Sequence, residues 1–189
     1  TAMYFSGTGT TKKVTAAIAD ELTEIKISQD ETAAGENPGS IKAGIKPWQR
    51  TEDIDFTPPA ARREIYRFTP DDLVVFGVPV IAGRVPNVLL KFLDTLQGGG
   101  ALAVPVVLYG NRNFDDALIE LRNILQDRGF YAIGAAAFIG EHSFSRILAA
   151  GRPDSSDMEL SRDFARKLAG KIRRLGAAGL REAAPVPVD

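Results

Sequence analysis

Tyr4-Phe5-Ser6-Gly7-Thr8-Gly9-Thr10-Thr11-Lys12-Lys13 turns from a short apolar strand into a helix across hydroxyls and glycines. Val14, Ala17, Ile18 and Leu22 then recur at helical spacing, so residues 2–6 read as a strand and 11–24 as a helix with one apolar face. A helix N-terminus leaves backbone N–H groups unpaired and carries roughly half a positive charge, which attracts anions. Two glycines let the backbone close around such an anion, and Ser6, Thr8, Thr10 and Thr11 add hydroxyl donors. The stretch therefore reads as a phosphate cradle opening a βαβ unit; the plainer alternative is a hydroxyl-rich helix cap with a glycine turn.

Two other phosphate loops are excluded. Gly-x-x-x-x-Gly-Lys-Ser/Thr has no match, because Gly9 is followed by Thr-Thr-Lys-Lys. Gly-x-Gly-x-x-Gly requires glycine where the chain has Lys12. What remains is Ser/Thr-x-Thr-Gly-x-Thr, met by Ser6, Thr8, Gly9 and Thr11.

The rest of the chain continues the alternation. Asp53–Thr57 reads as a short strand stopped by Pro58-Pro59, with a brief helical turn through Ala60–Glu64. Leu73–Val78 and Val104–Tyr109 are near-continuous apolar runs, the pattern of strands buried on both faces of a parallel sheet. Leu89 to Leu96 marks a helix ending at Gly98-Gly99-Gly100, and Asp115–Arg128 another with Gly129 beyond it. Tyr131–Ile139 reads as a fifth strand, and Met158, Leu160, Phe164, Leu168 and Ile172 as the stripe of a last helix. The predicted fold class is α/β, a doubly wound five-stranded parallel sheet with helices on both faces. Ligands bind such sheets at the carboxyl ends of the strands. Residues 1–176 are expected to form one domain, with 25–50 a glycine- and proline-interrupted surface insertion holding the only tryptophan, Trp48. Residues 177–189 read as an extended tail, and the start at Thr1 with this proline-spaced end reads as a segment cut from a longer chain.

Composition narrows the function. The net charge of −1 gives no electrostatic case for nucleic acid or an anionic membrane, and no apolar run approaches the roughly 18 residues of a membrane span. With no cysteine and one histidine, thiolate chemistry and cysteine- or multi-histidine-ligated metals are excluded within these residues. A cytoplasmic location is expected.

The loops after the third and fourth strands are Gly77-Val78-Pro79-Val80-Ile81-Ala82-Gly83-Arg84-Val85-Pro86-Asn87 and Gly110-Asn111-Arg112-Asn113-Phe114-Asp115-Asp116. With the first loop, they resemble the FMN-binding flavodoxin-like family, above all the flavodoxin domain of flavodoxin–ferredoxin fusion proteins. The resemblance spans most of residues 2–145, through Phe138-Ile139-Gly140-Glu141-His142-Ser143-Phe144-Ser145, and leaves out the 25–50 insertion. It implies strand order 2-1-3-4-5 and an FMN cofactor. Ser6, Gly7, Thr8, Gly9, Thr10 and Thr11 would hold its phosphate; Pro79, Val80, Ile81, Ala82, Gly83 and Arg84 would flank the ring on one side, and Gly110, Asn111, Arg112, Asn113 and Phe114 on the other. Phe114 falls at a stacking position, whereas Ile81 replaces the other covering aromatic. Arg84 and Arg112 beside the ring would favour the anionic reduced flavin, against opposition from Asp115 and Asp116, and give a less negative potential than strongly acidic flavodoxins have. His142 follows the fifth strand and is expected near the same edge, where a surface or capping role competes with proton donation.

The function this implies is electron transfer with no catalytic acid or base and no metal, the partner being a redox protein or a fused or associated iron–sulfur domain. Two alternatives stay open: an FMN-dependent oxidoreductase acting on a quinone or another small molecule with 25–50 as a lid, and a flavin-free interaction module.

Overall fold

The computed structural model describes residues 1–30, 48–145 and 147–188. In chain order these form β1 (Ala2–Tyr4), α1 (Thr10–Asp30), β2 (Ile54–Asp55), a 3₁₀ turn (Ala61–Arg63), β3 (Leu73–Pro79), α2 (Asn87–Leu93), β4 (Leu102–Tyr109), α3 (Ala117–Asp127), β5 (Tyr131–Ala132), β6 (Ala136–Ile139) and α4 (Ser155–Glu182). All strand pairs are parallel, in the order β2-β1-β3-β4-β5 with β6 on β4, as expected. The interruptions expected between 25 and 50, at Gly35, Pro38, Gly39, Gly44 and Pro47, lie outside the described residues. Where the structure resumes, Trp48 packs on the core and donates from Nε1 to the Asp71 carbonyl at 2.8 Å. Among the described residues no helix is long and apolar enough to cross a membrane.

Side-chain alternation divides the core in two. Val75, Val104 and Val106 face one layer with Val14 and Ile18 of α1 and Leu168 and Ile172 of α4. Val74, Phe76, Val78 and Val107 face the other with Leu89 and Phe92 of α2 and Leu121 and Leu125 of α3. Gly77, on the α1 side of β3, has no side chain because α1 fills that space: a Cβ there would lie 2.1 Å from Thr15 Oγ1 and 3.0 Å from Thr11 Cγ2. This contact seats the first turn of α1 on the sheet.

Three elements differ from expectation. Helix α1 runs on to Asp30, past the end expected at position 24. The fifth strand is broken into β5 and β6. Ala132 pairs with Ala103 and Ala136 with Val106, so Ile133, Gly134 and Ala135 oppose only Val104 and Pro105. This is a bulge opposite a proline that has no N–H to donate. The extended tail expected from residue 177 instead begins as helix: α4 bends at Gly176 (φ 66°, ψ 175°) and continues to Glu182. Leu180 beyond the bend is 1 % exposed, and Arg181 donates to the Pro70 and Gly100 carbonyls. Val186 N–H then donates to the Ala132 carbonyl at 3.1 Å. The apolar contact at Leu180 outweighs the break that Gly176 signals.

The Gly77 contact is testable. Gly77→Ala overpacks the α1–β3 seam and is expected to cost about 1–3 kcal/mol in urea unfolding. Thr15 Oγ1 is buried without a partner among the described residues, so Thr15→Ala alone should be neutral or stabilising, and combined with Gly77→Ala it should recover part of the loss.

Candidate functional site

The loop between β1 and α1 presents backbone donors. Ser6 Oγ accepts from Lys12 N–H at 3.0 Å and Lys13 N–H donates to the Gly9 carbonyl at 3.0 Å, which closes the first turn of α1. Gly9 is held at φ 87°, a conformation that a side chain disfavours. Among the described residues the N–H groups of residues 7–11 donate to nothing. Thr8 and Thr10 hydroxyls lie 3.1 Å apart, and Ser6 keeps its own O–H free to donate because Oγ is engaged only as an acceptor. A row of unpaired amides at the positive end of a helix, ringed by hydroxyls, is the donor set a phosphate needs.

These amides open onto a groove of about 180 Å³, walled by Gly7, Thr8, Thr10, Thr11, Pro79 and Gly140 among others. The groove shares Val80, Ile81, Tyr109, Gly110 and Ser143 with a larger cleft of about 630 Å³, so the two are contiguous. The cleft lies between the loop after β3, with Ala82 and Gly83, and the loop after β4, with Arg112 and Asn113. Both loops are tightly turned. Ile81 and Arg84 exchange backbone hydrogen bonds of 3.0 and 3.1 Å across Ala82 (φ 52°) and Gly83 (φ 74°), while Asn111 (φ 57°) and Asp115 (φ 42°) are also left-handed. Positive-φ residues other than glycine carry strain and cluster at functional sites.

The structure brings most of the expected residues together but leaves three of the ring-loop residues, Arg84, Asn111 and Phe114, off the walls of groove and cleft. Phe114 is half-buried against the α2–α3 core, edge-on to Tyr109 with ring centroids 5.5 Å apart, and is not on the cleft wall. It takes the packing role before α3, and its carbonyl accepts from Ala117 N–H at 3.0 Å. Arg84 also points away. Its guanidinium forks onto Glu120 of α3 at 3.0 and 2.8 Å, and Val85 N–H donates to the same carboxylate at 2.8 Å. Hydrogen bonding to Arg84 holds the Glu120 carboxyl below its ordinary value, against the opposing effect of burial. Of the two arginines expected beside a ring, Arg112 alone lines the cleft, with Asp115 on the same wall. Arg112 thus faces the carboxylates of Asp115 on the cleft and Glu141 on the groove, in place of the two arginines expected.

Tyr109, Ser143 and Phe144 line the cleft and were not singled out. Only the position of Tyr109 and Ser143 beside carboxyl strand ends pointed to them. His142 lies there too, as expected, and packs on Gly110, where a Cβ would come within 2.8 Å of it.

No protein-family model matches the chain, and no curated protein sequence does. Solved structures do. An oxidised flavodoxin 1 from Bacillus cereus is 19 % identical, covers 89 % of this chain and 95 % of its own, and has a TM-score of 0.53. The apo form of an NADH:FMN oxidoreductase (EMOB) is 16 % identical over 90 % of this chain and 87 % of its own, with a TM-score of 0.54. Flavodoxin 2 from Bacillus cereus is 14 % identical over 90 % and 97 %, with a TM-score of 0.51. The fold is flavodoxin-like.

The Arg84–Glu120 fork has a pH signature. A lowered carboxyl contributes stability that is fully present above the ordinary value of 4.5 and is lost as pH falls through the lowered one. Glu120→Gln should therefore unfold at lower urea than the wild type at neutral pH, with the gap closing in acid below that value. A pH-independent gap in the two urea midpoints would show that the carboxylate charge is not what holds the turn.

Proposed function

We propose that this chain binds FMN and serves as an electron-transfer domain. The phosphate would sit on the unpaired amides of residues 7–11 with the hydroxyls of Ser6, Thr8, Thr10 and Thr11, and the ring in the cleft between residues 79–83 and 109–113. The observation that carries this reading is the continuity of the amide cradle, groove and cleft along the carboxyl edge of β1, β3 and β4. The residues fit the group: an anion meets donors at one end, and a flat ring meets Val80, Ile81 and Tyr109 further along. FMN supplies one- and two-electron redox chemistry when bound, and the protein's part is to anchor and cover it. The resemblance in the three loops supports a redox protein or an iron–sulfur domain as partner. A cleft wider than the groove that feeds it also favours a second reading, an FMN-dependent oxidoreductase acting on a small molecule.

The visible spectrum after incubation with FMN and removal of the excess tests the proposal. Retained, band-resolved flavin absorbance is expected, and a colourless protein would point to a flavin-free module. Gly9→Ala meets no steric obstacle but forces a side chain into φ 87°, so it should weaken FMN binding by about tenfold through backbone strain alone.

A further inference from the structure

His142 is more firmly held than a surface histidine needs to be. Its Nδ1 accepts from the backbone N–H of Phe144 at 3.1 Å and of Ser145 at 3.2 Å. A ring nitrogen that accepts carries no proton, so the neutral imidazole bears its hydrogen on Nε2. The residue is pressed onto Gly110, whose missing Cβ makes room for it. The neck of its loop is closed as well: Glu141 N–H donates to the Arg152 carbonyl at 3.0 Å, Gly151 N–H donates to Glu141 Oε1 at 3.0 Å, and Arg152 pairs with Asp157. The outcome is an oriented imidazole on the cleft wall, whose Nε2–H has no partner among the described residues.

Arg112 lines the same cleft, is exposed, and forms no ion pair among the described residues. Phe144, 94 % exposed, supplies bare apolar surface on that wall. A guanidinium fork and an imidazole N–H together suit a carboxylate, and an aromatic face suits a flat ring. Asp115, whose carboxylate is packed against Gly83, repels a second negative charge, which favours a monoanion over a phosphate dianion.

We propose that the outer part of the cleft is a second binding site, for a small aromatic monocarboxylate, with Arg112 and His142 Nε2–H holding the carboxylate and Phe144 covering the ring. It rests on the FMN reading only for what lies beside that ligand. His142 is the sole histidine, so its imidazole nitrogens give an unambiguous nitrogen NMR signal. Benzoate titrated into the FMN-loaded protein should shift the Nε2 signal saturably and leave Nδ1 an acceptor. Benzamide, uncharged and of the same shape, should bind about tenfold more weakly or worse. Arg112→Gln should abolish that discrimination, and Arg112→Lys should keep part of it. No saturable shift with benzoate, equal binding of benzamide, or an unchanged preference in Arg112→Gln would each overturn the proposal. Flavin absorbance, read on the same samples, reports separately whether FMN is bound.

Discussion

The close seating of α1 on β3 at Gly77 is the constraint from which the rest follows. Thr11 and Thr15 occupy the space a side chain would take there, so the helix begins flush with the carboxyl edge of the central strands. Its first amides, which lack carbonyl partners in any helix, consequently lie at the reversal point of the sheet. A bulkier residue at position 77 would push the cradle away from the groove it opens onto. The orphan Thr15 hydroxyl is a cost of the same approach, since burial without a partner is unfavourable.

Around that seat the two ring loops are stiffened differently. The loop after β3 is a tight turn through two left-handed residues, and the Arg84–Glu120 fork ties its base to α3. The loop after β4 is bounded by left-handed Asn111 and Asp115 and overlaid by the His142 loop at Gly110. Asp115 in turn packs on Gly83, where a Cβ would meet its carboxylate at 2.3 Å. The cleft walls are therefore fixed by contacts between them and by the Arg84–Glu120 fork behind, and Arg112, Ile81 and Phe144 are left exposed on the cleft surface. Such pre-organisation lowers the ordering cost of taking up a ligand.

Much of this was legible in the chain. Strand, glycine turn and helix at residues 2–24 announce the βαβ unit, and the apolar runs of β3 and β4 announce a sheet covered on both faces. Strand order came from the resemblance, and the register places the loops where they were expected. What could not be read depends on tertiary partners or on backbone direction. Glu120, the partner of Arg84, lies 36 positions away, and nothing local marks the pair. Phe114 and Tyr109 flank one loop, and Tyr109, not Phe114, lines the cleft. Gly176 looks like a helix end until Leu180 is seen to be buried, and the bulge opposite Pro105 shows only when two strands are laid side by side. His142 could be placed at the edge by topology, but its fixed tautomer needed the amides of Phe144 and Ser145.

The central claim is that the amides at the start of α1 hold a phosphate, and titration calorimetry with FMN against riboflavin tests it most directly, because the two differ only in that group. Charge-assisted hydrogen bonds from several backbone donors should make FMN bind tighter on the order of a hundredfold or more. Equal affinity for the two would contradict the account.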